Sequence, residues 1–212
     1  MDFAYLYEPY EDLVKKTDEV FEEVKKEYPE SVMCKPHCAD CCHAVFGLFL
    51  IEAVFLRIFF DRLDDAEKKK ALFRAEKAVQ QMEQLNKKLN LLKDDNEKMT
   101  YLMASEKIRC PLLTDTDECI LYSHRPITCR IYGIPVAIQE KAHICPKAQF
   151  QKGENYPFFN LDIVYRELYS LSKELLKKAE SRDINDASLL VSVAHVVKTP
   201  VDKLINDGFT NT

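Results

Sequence analysis

The stretch "CKPHCADCCHAVFGLFLIEAVFLRIFF", residues 34–60, joins a dense cysteine cluster to the most apolar segment of the chain. Its first part has the spacing C-x3-C-x2-C-C, which places four thiols within nine positions. The following run, residues 44–60, is apolar apart from Glu52 and Arg57. Because this run carries two charges and is shorter than the roughly 20 residues of a membrane-spanning helix, it predicts a buried helix over about 47–62 and no stable membrane insertion.

Length and composition are those of a soluble globular chain. The 212 residues are 47% hydrophobic and 31% charged, which allows one domain with a sizeable core. We expect residues 1–212 to form this single domain, with a cysteine-cluster metal-binding region at 31–147 and a C-terminal helical segment at 148–212. No glycine-rich phosphate-binding motif occurs. The net charge of -5 argues against a nucleic-acid partner, because phosphate binding needs a positive surface.

Apolar residues recur at steps of three and four in several further segments, which is the spacing of amphipathic helices. Asp64, followed by Glu67, has the pattern of a capping box at the start of one of them. Residues 108–147 lack this period and are rich in proline, cysteine and β-branched residues, so we expect loops with short strands at best. Besides 47–62, we predict helices over residues 11–28, 65–92, 96–106, 161–180 and 186–198, and one more after Thr199.

The eight cysteines fall in two loop regions, about 34–43 and 110–145. Thiolates two to four residues apart can turn inwards on one metal, whereas a disulfide between the adjacent Cys41 and Cys42 would be strained. The fold class that follows is mainly α, a helical scaffold with two cysteine-rich loop regions that converge on a metal site. The candidate metal ligands are Cys34, Cys38, Cys41, Cys42, Cys110, Cys119, Cys129 and Cys145.

The compartment we expect is the cytoplasm. The N-terminal residues "MDFAYLYEPYEDLVKK" lack the basic segment and apolar core of a secretion signal. Stable disulfides are rare in the reducing cytosol, and this favours metal binding as the reason for eight cysteines.

Zinc and an iron–sulfur cluster both use four thiolates, so both stay open as the cofactor. Zinc sites usually take paired CxxC motifs from two loops, and the second cysteine region has none. A cluster, of the [4Fe–4S] type, accepts ligands from distant segments and is therefore favoured. Arg109, Arg125 and Arg130 lie within four positions of a cysteine and either offset the cluster's charge or pair with acidic residues at 115–118.

Three blocks together resemble the YkgJ-type cysteine-cluster family, which is described as zinc- or iron-chelating. They are C-x3-C-x2-C-C, "CPLL" at 110–113 and "CILYSHRPITCRIYG" at 119–133, so the resemblance covers roughly 31–147 with helix 65–92 as a spacer. Flagellin lysine N-methylases look like distant relatives, and the resemblance implies an iron–sulfur centre there. The matching residues are Cys34, Cys38, Cys41, Cys42, Cys110, Pro111, Cys119, Tyr122, Arg125, Pro126, Cys129 and Arg130.

The leading hypothesis is a protein that binds a metal or cluster through these thiolates, and an iron–sulfur cluster is preferred over zinc. A second is a cluster-assisted enzyme that modifies another protein, which needs an open coordination position or a pocket lined by His37, His43 or Tyr132. A third is a structural zinc-binding interaction module in which the tail "TPVDKLINDGFT", residues 199–210, or helix 65–92 binds a partner protein. The sequence assigns no catalytic residue.

Overall fold

The computed structural model describes residues 4–180 and 183–207. Short 3-10 turns lie at Cys41–His43, Tyr122–His124 and Ile184–Ser188. The predicted mainly α character is confirmed. In the described part of the chain the α-helices are α1 (Ala4–Glu27), α2 (Leu50–Asp61), α3 (Asp65–Asn90), α4 (Asn96–Ser105), α5 (Ile127–Ile131), α6 (Leu161–Ala179), α7 (Val193–Lys198) and α8 (Val201–Asn206).

Helix α2 lies at the centre of the hydrophobic core, as the apolar run predicts. Leu50, Ile51 and Ala53 are fully buried, and the helix packs against α6, α7 and α8. Full burial of one leucine or isoleucine side chain is worth about 1.5–3 kcal/mol, so α2 is a strong anchor for the loops at its two ends. Of the helices in the described ranges, none is both long and apolar enough to cross a membrane.

A backbone bridge between Leu48 and Val191 changes two of the predicted helices. Leu48 N–H donates to Val191 O at 2.8 Å, and Val191 N–H donates to Leu48 O at 3.0 Å. Both segments must be extended to pair in this way. Helix α2 therefore begins at Leu50, and the helix predicted over 186–198 is wrong as one unit, because an extended segment separates the turn Ile184–Ser188 from α7.

The other predicted helices end within a few residues of the observed ends, except at the start of α1. That helix begins at Ala4 and runs through Pro9, which in sequence signals a helix break. Leu6 and Tyr10 on either side of the proline are each 1% exposed. Packing of these two side chains therefore outweighs the hydrogen bond that proline cannot donate.

Asp64 caps α3 as predicted, accepting hydrogen bonds from the N–H groups of Ala66 and Glu67 at 2.9 Å. The buried face of α3 is made chiefly of small residues, whereas the larger apolar residue Leu72 is 37% exposed. Alanine allows close approach of the facing helix, and α3 packs against α7.

Residues 108–147 form loops and short strands, as predicted, with α5 as an added helical turn. Strands β1 (Val136–Ile138) and β2 (Lys141–His143) form an antiparallel hairpin, and β3 (Phe159–Asn160) runs parallel to β1. Gln149 N–H donates to Ser31 O at 2.9 Å. This bond holds the segment that follows the hairpin beside the start of the first cysteine loop.

Glu52, in the first turn of α2, is a carboxyl group that is only 3% exposed. One of its oxygens accepts a hydrogen bond from Phe49 N–H at 3.3 Å, and the other accepts from Ile127 N–H at 3.0 Å. Burial raises the pKa of this carboxyl group to about 7, although both hydrogen bonds act to lower it. Glu52 thereby ties α2 to α5, the helix that carries Cys129.

We expect Glu52 to make the protein less stable as the pH rises from about 4.5 to about 7. In this range the folded state keeps the carboxyl proton, whereas the unfolded state, with the ordinary value of 4.5, releases it. The unfolded state then binds fewer protons, so the free energy of unfolding falls with pH, by roughly 3 kcal/mol in all. Urea denaturation at pH 4.5 and pH 8 measures this fall.

Glu52→Gln has no proton to lose, so this variant should lack that part of the pH dependence. Glu76→Gln, at an exposed position of α3, should behave like the wild type. A Glu52→Gln variant with the full wild-type pH dependence would contradict the assignment.

Candidate metal centre

The first cysteine loop turns back on itself just before α2. Cys38 N–H donates to Lys35 O, and Cys42 N–H donates to Ala39 O, both at 3.0 Å. The second of these turns continues as the 3-10 turn Cys41–His43. It places the thiols of Cys41 and Cys42 close enough for each to shift the pKa of the other.

A backbone hydrogen bond joins the second cysteine region to the first. Cys110 N–H donates to Cys42 O at 2.7 Å. The chain then reverses, and Leu113 pairs with Cys119 in an isolated bridge. Although α2, α3 and α4 separate the two cysteine regions in sequence, the regions are therefore adjacent in the fold.

Cysteines from three chain segments line one small cavity, whose volume is about 60 Å³. Arg125 lines it as well, and its guanidinium carbon lies 3.6 Å from the centre of the Tyr122 ring. Arg109, the other arginine at the cavity, donates to Thr114 O at 2.6 Å and lies 3.6 Å from Asp115. The cysteines at this cavity are Cys41, Cys42, Cys110, Cys119 and Cys129.

One cysteine outside this cavity, Cys145, is close to Asp40. Cys145 Sγ lies 3.8 Å from a carboxylate oxygen of Asp40. Burial and the charge of the same carboxylate raise the pKa of Tyr132, and one oxygen of the carboxylate lies 3.9 Å from Lys107 Nζ. Asp40 thus connects the first cysteine loop to three other segments, a role that its place between two cysteines could have suggested. With Cys34 and Cys38, the other two cysteines outside the cavity, Cys145 makes up the group at Asp40; the charges of Cys38 and Cys145 add to the effect of burial in raising the pKa of Cys34.

Burial favours the protonated form of most of these thiols. It raises the pKa of Cys34 to about 11 and that of Cys110 to about 12, and it raises the pKa of Cys129 well above its ordinary value. Cys41 differs, because the Cys42 thiol donates to it and, with the charge of Arg125, lowers its pKa to about 7 against the effect of burial. Metal binding to this cavity must therefore release protons.

All eight cysteines are free thiols. Within residues 4–180 and 183–207, no three His, Cys, Asp or Glu side chains are placed so that they could hold a metal ion. The histidines considered beside the cysteines bind backbone carbonyls: His37 Nδ1 lies 2.9 Å from Thr116 O and His43 Nδ1 lies 2.9 Å from Ala39 O. The structure brings the cysteine regions together without a formed coordination sphere.

Arg130 holds the segment around Cys129 in place. It is 8% exposed, and its Nε and Nη2 donate to the carbonyl oxygens of Arg125 and Ser123 at 2.8 and 2.6 Å. Its Nη1 donates to the carboxylate of Asp18 on α1 at 2.6 Å. Arg130 therefore acts as a clamp between α1 and the loop, rather than as a charge at the cavity.

Gly133 packs directly against Cys34. A methyl group at this position would overlap Cys34 Sγ and come within 3.6 Å of Phe21. We expect Gly133→Ala to displace the Cys34 thiol and to lower the free energy of unfolding by about 1–3 kcal/mol, the usual cost of overpacking. In a Cys34→Ala background the overlapping sulfur is gone, so the same change should cost less. Urea denaturation of the wild type, the two single variants and the double variant measures this, and an equal cost in both backgrounds would refute it.

The cysteine-lined cavity and the group around Asp40 define a thiol-rich helical protein with the donor type that zinc and iron–sulfur clusters prefer. Residues 33–146, which include all eight cysteines, match the CxxCxxCC family model, whose description reads "Putative zinc- or iron-chelating domain". The match spans more than half of the chain, and the protein belongs to this family. The resemblance seen in the sequence is confirmed. No curated protein and no solved structure matches the chain.

Proposed function

We propose that this protein binds an iron–sulfur cluster, rather than zinc, through the thiolates of the cysteine-lined cavity. The observation that carries the proposal is the meeting of five thiols from three segments around one cavity that also contains Arg125. Thiolates suit both iron and zinc. A cluster held by four thiolates is commonly anionic, and the guanidinium of Arg125 would offset that charge.

The ligand set that fits the cavity best is Cys110, Cys119, Cys129 and one of the adjacent pair. Of that pair Cys41 is favoured, because its lowered pKa makes its thiolate easier to form. A cysteine thiol moves by rotation about one side-chain bond, so new rotamers would turn these thiols towards a common centre. The group at Asp40, made of Cys34, Cys38 and Cys145, would then position the loop or bind a second metal.

Anaerobic purification with assays for iron, acid-labile sulfide and zinc tests the proposal, together with an absorption spectrum. We expect iron and sulfide in the wild type, their loss in Cys129→Ala and their retention in the matched variant Cys145→Ala. Colourless protein with stoichiometric zinc after both aerobic and anaerobic purification would overturn the iron–sulfur proposal. Loss of metal in Cys145→Ala but not in Cys129→Ala would indicate that the group at Asp40 binds the metal instead.

One observation favours a second function, a cluster-assisted enzyme that modifies another protein. Tyr132 lines a cavity of about 310 Å³ that shares its wall at residues 44–46 with the cysteine-lined cavity. His37 and His43, the other residues considered for such a pocket, line neither cavity. An open iron site detected by cyanide or small-thiol binding to the loaded protein would support this function, and four protein thiolates on every iron would argue against it.

A structural zinc-binding module with a partner protein is the remaining alternative. Phe73 on α3 is 77% exposed and is the natural position at which to test docking of that helix. We further propose the cytoplasm as the compartment, because reducing conditions suit eight free thiols. In this arrangement residues 31–147 serve as the metal-binding region, and residues 148–212 supply helices that cover α2.

A further inference from the structure

The larger cavity, of about 310 Å³, has the size and lining of a small-molecule site. It is enclosed by α4, α5, α6 and the β1–β2 hairpin. Pockets for small ligands have volumes of roughly 300–1,000 Å³ and mostly apolar walls with a few polar groups. The wall here is largely apolar, with contributions from Phe46, Ile131, Val136, Ile138 and Leu161.

The rim of this cavity is apolar as well. Met103 and Ile144, which both line it, are 39% and 42% exposed. Two large apolar side chains held in water beside an apolar cavity are typical of a binding site for an apolar molecule. The rim therefore indicates a ligand with a hydrocarbon part.

The charge at the cavity selects an anionic group on that ligand. Its lining residues include no aspartate or glutamate, whereas Lys107 is among them. Lys107 Nζ lies 3.9 Å from Asp40, beyond hydrogen-bond length, so the ammonium group can still donate hydrogen bonds to a ligand. Burial raises the pKa of both tyrosine hydroxyls at the cavity, Tyr132 and Tyr165, so neither adds a negative charge there.

We propose that this cavity binds a small amphiphilic carboxylate, with its hydrocarbon chain between α5, α6 and β1 and its carboxylate at Lys107. Such a ligand would lie against residues 44–46, the wall shared with the cysteine-lined cavity. Among the residues that line this cavity, Cys145 is the one cysteine, and the experiment on octanoate binding changes no cysteine. The outcome is therefore separate from that of the metal assays.

Calorimetric titration of the protein as isolated with octanoate, octanol and octylamine tests the proposal. We expect saturable binding of one octanoate per chain and at least ten-fold weaker binding of octylamine. Lys107→Met should weaken octanoate binding about five-fold, the effect of one partly exposed charge pair, and Lys107→Glu should reverse the preference between octanoate and octylamine. Lys98→Met is the matched control, since Lys98 also pairs with an aspartate but does not line the cavity.

A second variant tests the location without changing charge. Ala104 lines the cavity at an exposed position of α4, so Ala104→Phe should leave the fold intact and weaken octanoate binding at least ten-fold. The metal content of Ala104→Phe and Lys107→Met should equal that of the wild type. Weaker octanoate binding in these variants then cannot result from loss of the metal. The proposal is overturned if octanoate does not bind, if octylamine binds as well as octanoate, or if Ala104→Phe binds octanoate like the wild type.

Discussion

Removal of the metal should loosen the two cysteine segments, residues 34–43 and 110–145, while α2 and α6 keep their protection. In the described part of the chain, few backbone hydrogen bonds join these two segments, such as that from Cys110 to Cys42. Ligation by thiolates from both segments would close them into one unit. Structural metal sites contribute on the order of 10 kcal/mol to folding, so the loss in local stability should be large.

Amide hydrogen exchange of loaded, metal-depleted and refilled protein measures this effect. Exchange in the segment from Cys110 to Cys119 should speed up by several orders of magnitude on depletion and recover on refilling. The amides of α2 and α6 serve as the internal control, because their stability comes from apolar packing. Equal exchange in the loaded and depleted protein would contradict a metal that joins the two cysteine segments.

Arg130→Ala should lower the free energy of unfolding by about 1–3 kcal/mol, the cost of leaving buried hydrogen-bond acceptors without their donor. The change would leave the carbonyl oxygens of Arg125 and Ser123 and the carboxylate of Asp18 without the donor they now share. Because Cys129 is the neighbouring residue, the variant should also retain less metal. Urea denaturation and metal content measure the two effects.

Two further variants distinguish the effect of losing the hydrogen bonds of Arg130 from the effect of losing its positive charge. Arg130→Lys keeps the positive charge but lacks the planar guanidinium group with its several N–H donors. We therefore expect its loss of unfolding free energy to lie between zero and that of the alanine variant. Arg166→Ala, at an exposed position of α6, should change stability by no more than about 0.5 kcal/mol. A loss in Arg130→Ala as small as that in Arg166→Ala would show that the three hydrogen bonds do not hold the loop.

Patterns that are local in the chain were enough to predict most helices and the family. The helices over 65–92, 96–106 and 161–180 were predicted to within two residues of their ends, because amphipathic spacing and an aspartate cap act within a few turns. The C-x3-C-x2-C-C and RPxxCR blocks were likewise sufficient for the resemblance to a zinc- or iron-chelating family, which residues 33–146 confirm.

Features that depend on contacts between distant residues could not be predicted in this way. The break in the helix predicted over 186–198 depends on Leu48, more than a hundred positions away, and the helical turn around Pro9 depends on the burial of Leu6 and Tyr10. Glu52 was visible in the sequence only as a charge in an apolar run. Its partner Ile127 lies 75 positions further along.

The sequence by itself determined that this protein is helical, rich in free thiols and a member of a metal-chelating family, because these properties follow from residue types and short spacings. Only the tertiary structure decided how the thiols are divided. Folding places five of them around one cavity and leaves three outside it, of which Cys145 lies beside Asp40, and spacing along the chain does not reveal this division. The doubled cysteine at 41 and 42 belongs to the first set, because the backbone bond from Cys110 draws the second region to that point.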